Sequence, residues 1–131
     1  MILVDSSVWI DYFNGNKTFQ TDWLDSSLGN TPIIIGDLIL TEVLQGFQND
    51  KDFKIAKDIL SSIPFTSMGG RTLALESAMN YRSLRKKGVT VRKTIDIIIG
   101  TFCIHNQLIL LHCDKDFDPM VKFLGLEIID I

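Results

Sequence analysis

The stretch Met1-Ile-Leu-Val-Asp-Ser-Ser-Val-Trp-Ile-Asp-Tyr-Phe13 decides the fold. Ile2 to Val4 is an apolar run too short for a helix, and it ends at a carboxylate, Asp5. Beyond it Val8, Trp9, Tyr12 and Phe13 fall at helical spacing. A short buried strand therefore gives way at once to a helix. Ser6 or Ser7 is placed to cap the helix's free N–H groups, which leaves Asp5 at the strand's end. Asn14, Gly15 and Asn16 read as the stop.

Outward from this unit the same strand-then-helix logic continues. Trp23, Leu24 and Leu28 predict a short helix, and Ile33 to Ile35 a buried strand after Gly29, Asn30 and Pro32. Asp37 opens a helix carrying Leu38, Leu40, Val43, Leu44 and Phe47. Lys51 to Leu60 predicts another, with Phe53, Ile55, Ile59 and Leu60 as its core set. A third strand at Pro64 to Thr66 precedes a helix from Thr72 to Lys86, whose apolar positions are Leu73, Leu75, Ala78, Tyr81 and Leu84, and which Gly88 ends. Thr94 is the expected N-cap of a helix from Ile95 to His105, followed by a strand at Leu108 to Leu111. Asp114 to Asp118 reads as a polar loop, Pro119 to Phe123 as a short helix, and Glu127 to Asp130 as a last strand.

Short apolar strands alternating with helices predict an α/β fold, a central mainly parallel sheet flanked by helices on both faces. Such sheets place their sites outside the carboxyl ends of the strands, where Asp5 and Asp114 both fall.

Composition bounds the rest. With 131 residues, 46% of them apolar and 22% charged, the chain is expected to form one domain, 1–131, with a packed core. Its apolar runs are far shorter than the roughly 18 to 20 residues that span a bilayer, which argues against a membrane protein. Nothing at the amino terminus resembles an export leader. Cys103 and Cys113 read as free thiols, so the cytoplasm is the expected compartment. A net charge of −3 excludes nucleic-acid coating by bulk electrostatics and leaves charge distribution to decide.

Four acidic positions draw attention. Asp96 precedes three isoleucines, so its carboxylate borders an apolar face where an unpaired charge is costly; a bare helix N-terminus would account for it alone. Glu42 lies within an amphipathic helix, where a glutamate is ordinarily only solvated. Asp5 sits at the sheet's ligand-binding edge, although an Asp-Ser-Ser turn also serves as a cap. Asp114, Asp116 and Asp118 share one loop at that edge, without the glycine and downstream glutamate of an EF-hand. Cys103, His105, His112 and Cys113 fit no zinc-ligand spacing. The stretch Arg82 to Lys93 carries six basic residues and no acidic one, a candidate RNA-guiding edge represented by Arg82, Arg85 and Lys86, or else a solvated helix end.

Taken together, MILVDSSVWIDYF, ILTEVLQGF, RKTIDIIIGTFCI and LILLHCDKDF, in this order over almost the whole chain, resemble the PIN-domain ribonucleases, and among them the VapC-type toxins of prokaryotic toxin–antitoxin pairs. The resemblance implies a PIN-like three-layer sandwich and a metal-dependent endoribonuclease. It implies that Asp5, Glu42, Asp96 and Asp114 are the acidic site residues, that Asp5, Asp96, Asp114 and Asp116 hold the metal, and that Ser7 supports Asp5. It further implies an RNA substrate, a small antitoxin partner and a homodimer. Two departures stand out: Ser6 where threonine is common, and His112 where a small hydroxyl residue is frequent.

An all-oxygen ligand set suits Mg²⁺ or Mn²⁺ better than zinc. Such a cluster serves activation of water for attack on phosphorus. A receiver domain lacks its late lysine here, and a haloacid-type phosphatase its Asp-x-Asp pair, since Ser6 and Ser7 follow Asp5. The remaining alternative is a catalytically silent PIN-like module that binds RNA or protein, and the intact carboxylate set argues against it.

Overall fold

The structure is a computed structural model, described here for residues 1–130. Five strands form one parallel sheet: β1 (Ile2–Val4), β2 (Ile33–Gly36), β3 (Phe65–Thr66), β4 (Ile109–Leu111) and β5 (Glu127–Ile128), in the order β3-β2-β1-β4-β5. Seven α-helices cover it: α1 (Ser6–Phe13), α2 (Phe19–Ser27), α3 (Asp37–Gln45), α4 (Asp50–Ser61), α5 (Arg71–Lys86), α6 (Thr94–Asn106) and α7 (Asp118–Leu124), with a 3₁₀ turn at Lys115–Phe117. The predicted α/β architecture is the observed one.

The chain builds outward from β1 to β2 and β3, then crosses to the other side for β4 and β5. The strand order therefore reverses between β1 and β4, whose register pairs Leu3 with Leu110 and Val4 with Leu111. The Asp5 N–H continues the ladder to the Leu111 carbonyl at 2.9 Å. Leu3, Val4, Leu110 and Leu111 are almost wholly buried, as expected of strands covered on both faces. Reversal of strand order opens a crevice at the strands' carboxyl ends. Gly100 lets α6 lie close against α7: a Cβ there would stand 2.2 Å from the Met120 sulfur.

Several sequence expectations need correction. The cap of α1 is Asp5 itself, not Ser6 or Ser7: its carboxylate accepts from the Ser7 N–H at 3.1 Å. Thr94 is the first residue of α6 and not its cap; Lys93 holds the cap position and makes no side-chain cap bond. In α4 only Ala56 and Leu60 are buried, whereas Phe53, Ile55 and Ile59 are exposed. In α5, Leu75 is exposed along with Ala78, and Ser77 takes an inward position beside Leu73 and Leu84. Periodicity finds a helix, but it does not distinguish an apolar face turned to the core from one turned outward. No described helix is long and apolar enough to cross a membrane.

Candidate metal centre

The residue that ends β1 and caps α1 is the floor of the site. Asp5 is 2% exposed, and its Oδ2 accepts from the Ser7 N–H and from Ser7 Oγ at 2.5 Å. Its Oδ1 is buried without a partner. Burial raises its pKa above the ordinary carboxylate range, with the Ser7 bonds pulling the other way. Ser7 Oγ also accepts from the Cys113 N–H at 3.2 Å, which ties the loop after β4 to β1.

Asp96 enters from the first turn of α6 and is 3% exposed, with Oδ2 unpartnered. Burial first, then the charges of Asp5 and Asp114, push its pKa up to about 7 against the opposing charge of Lys93. Glu42 reaches in from α3, half-buried, and its Oε1 accepts from Ser6 Oγ at 2.9 Å. Its pKa is raised by burial, with the Ser6 bond lowering it and Asp5 and Asp114 adding repulsion.

The loop after β4 supplies the last wall. The Asp114 N–H donates to His112 Nδ1 at 3.1 Å, and Asp114 Oδ1 accepts from the Asp116 N–H at 2.9 Å. Asp116 Oδ2 is buried and unpartnered, while its Oδ1 lies 3.5 Å from Arg92 Nε. One carboxylate oxygen each from Asp96, Asp114 and Asp116 lies within 4.8 Å of the others. Asp5 stands beside this triad and is not part of it. Asp118 is exposed and belongs to the start of α7.

Thus Asp5, Glu42, Asp96, Asp114 and Asp116, remote in sequence, converge at the crevice where strand order reverses. The basic residues sort differently. Arg82 and Arg85 line a groove of about 510 Å³ between α5 and α6, with Tyr81, Thr94, Ile97 and Ile98, and Arg85 lies over the Tyr81 ring at 5.6 Å. Lys86 is exposed at the end of α5. The cations that act on the carboxylates are Arg92 and Lys93, which sequence reasoning left inside the basic run without singling out. Their signal was position: they directly precede the helix whose first turn carries Asp96.

A parallel α/β sheet with carboxylates from β1, α3, α6 and the β4 loop gathered at its switch point defines a class of protein, an acidic-site α/β domain suited to a divalent cation. Residues 2–122 match the PIN domain, and the chain belongs to that family. It is similar to ribonuclease VapC11 of Mycobacterium tuberculosis, 26% identical over 129 residues covering 97% of this chain and 96% of that protein. VapBC2 from Rickettsia felis, bound to a promoter DNA fragment, shares the fold at a TM-score of 0.76 and 16% identity, over 98% of this chain and 97% of that one. FitAcB from Neisseria gonorrhoeae does so at 0.74 and 18% identity, over 99% and 97%.

PIN nucleases use divalent metal ions, and the residues here fit one. The donor set is all carboxylate, and three of its oxygens, on Asp5, Asp96 and Asp116, are buried with no protein partner. Orphaned anionic oxygens of this kind are costly unless a cation or ordered water meets them.

Proposed function

We propose that the chain is a divalent-metal-dependent endoribonuclease, the toxin of a VapC-type toxin–antitoxin pair acting in the cytoplasm. The observation that carries this reading is the triad of Asp96, Asp114 and Asp116 within 4.8 Å, with unpartnered buried oxygens beside it. Mg²⁺ or Mn²⁺ would be held by Asp96, Asp114 and Asp116 with Asp5 adjacent, and when bound it supplies Lewis-acid activation of water and stabilises charge on the phosphate.

The chain's own groups do the remainder. Ser7 fixes one oxygen of Asp5 and leaves the other buried without a protein partner. Glu42, held by Ser6, is half-exposed and placed to orient water or take up a proton at the site's mouth. Arg92 and Lys93 offer positive charge to an RNA phosphate at the rim, and Arg82 and Arg85 extend that charge along α5.

The antitoxin partner and the homodimer belong to the same reading. The relatives' toxin–antitoxin assemblies support it, as do the exposed apolar side chains on α4 (Phe53, Ile55 and Ile59) and on α5 (Leu75 and Met79).

The decisive experiment is cleavage of structured and unstructured RNA by purified protein with Mg²⁺, Mn²⁺ or EDTA, beside Asp96→Asn. Metal-dependent cutting lost in the variant is the expected result. Equal cutting by both proteins would trace the activity to a contaminant or a wrong site. RNA bound but left uncut by either would replace the enzyme with a binding module.

A further inference from the structure

We propose that His112 is a positioning residue whose Nδ1 holds the backbone of Asp114 and thereby sets the separation of the Asp114 and Asp116 carboxylates; this rests on the metal-site reading above. The loop from His112 to Asp116 has no regular ladder, and side chains take three of its N–H groups. The Cys113 N–H goes to Ser7 Oγ, the Asp114 N–H to His112 Nδ1 at 3.1 Å, and the Asp116 N–H to Asp114 Oδ1 at 2.9 Å. Each bond orients the next peptide, and the last sets Asp116 relative to Asp114.

The His112 ring is itself fixed. It packs on Phe117 with centroids 5.0 Å apart, and Phe117 is wholly buried. An acceptor carried on a locked ring is a firmer anchor than a rotating hydroxyl. Because Nδ1 accepts, the neutral ring carries its proton on Nε2. The ring thus links the core to the carboxylate loop without contributing a ligand, the role that outer partners commonly play at metal sites.

Two substitutions separate the acceptor from the ring. His112→Phe keeps an aromatic against Phe117 and removes the acceptor; His112→Asn removes the ring and keeps an acceptor near the Nδ1 position. Mn²⁺ affinity, measured by calorimetry on folded proteins checked by circular dichroism, is expected to fall about tenfold in His112→Phe and to recover largely in His112→Asn. Wild-type affinity in His112→Phe, or equal loss in both variants, would overturn the proposal.

A readout on metal-free protein keeps the two readings apart. ¹⁵N NMR of the His112 ring should show the Nε2–H tautomer, with the Asp114 amide protected from exchange in the wild type and in His112→Asn but not in His112→Phe. A proton on Nδ1, or an Asp114 amide that exchanges alike in all three, would sink the positioning role whether or not Mn²⁺ binds. Failure of the wild type to bind Mn²⁺ together with the expected NMR result would instead refute the metal-site reading alone.

Discussion

The two ends of the central strands carry opposite chemistry. At the carboxyl ends of β1 and β4, five carboxylates gather at a crevice, where Asp5, Asp114 and Glu42 repel the charge of Asp96, and two of the five, Asp5 and Asp96, are almost wholly buried. At the amino ends, Met1, Leu28, Pro32, Ile33, Ile59 and Pro64 help line an open groove of about 570 Å³ that no acidic or basic side chain enters. The sheet accepts apolar residues at both ends, so its own packing does not require the acidic one. Burying ionised carboxylates there costs free energy, which a proton, ordered water or a cation offsets. The amino end is thus marked by an apolar groove, and the carboxyl end by strained electrostatics of the kind that gathers at functional sites.

The largest effect expected at the acidic end comes from Asp96→Asn. RNA cleavage should fall by on the order of 100-fold or more, while the metal-free protein melts at a higher temperature because a repelled charge has gone. Turnover assays beside thermal melts read both, and an active, less stable variant would break the contrast. Ile33→Ala is the mirror test at the amino end. Ile33 is 4% exposed and pairs with Ile2, so truncation should cost about 2–5 kcal/mol. Urea unfolding should give the same loss at pH 5 and pH 8, with activity per folded molecule unchanged.

This contrast also marks how far the sequence is legible. Strand β1 and Asp5 could be read because a short apolar run ending in a carboxylate has one sensible place in a parallel sheet. Asp96 could be suspected because three isoleucines follow it. Which of Asp114, Asp116 and Asp118 face the site depends on amide bonds within one loop, and no spacing rule encodes them. Glu42 is indistinguishable in sequence from any solvated helical glutamate until Ser6 is brought beneath it. The outward turn of Phe53, Ile55 and Leu75 was illegible for a related reason: an apolar stripe made for another surface has the same period as one made for the core. Arg92 and Lys93 were hidden within a longer run of like charge.

Metal and pH sharpen the comparison next. Mn²⁺ at about 100 times its dissociation constant should stabilise the wild type by about 2.7 kcal/mol and leave Asp96→Asn nearly unmoved, as calorimetric melts would show. Without metal, stability should decline as pH rises. The Asp96 pKa is about 7 in the folded state against an ordinary 3.8, so between these values the native state keeps a proton that the unfolded chain releases. The contribution is complete below about pH 3.8, is lost as pH passes through about 7, and amounts to at most about 4 kcal/mol. Asp5 and Glu42 act with the same sign. Melts across this range should slope downward in the wild type and flatten in Asp96→Asn; a rising slope would show that metal or another cation had remained in the site.

The smallest effect is expected from Ser6→Ala, and it tests the contrast most finely. Ser6 is buried, and its hydroxyl donates to Glu42 Oε1 at 2.9 Å. Removing it should cost about 1 kcal/mol, since water reaches the half-exposed carboxylate and replaces part of the bond. The donor favours ionised Glu42, so the loss should be greatest at neutral pH and shrink in acid once Glu42 holds its own proton. Ile33→Ala, between apolar neighbours, has no such dependence. Ser6→Thr keeps the hydroxyl and should restore the bond. Urea unfolding of the three proteins at pH 5 and pH 8 reads the difference. A Ser6→Ala loss as flat with pH as that of Ile33→Ala would mean that Ser6 supports only the packing of α1 against α3, and that Glu42 does not depend on it for its charge.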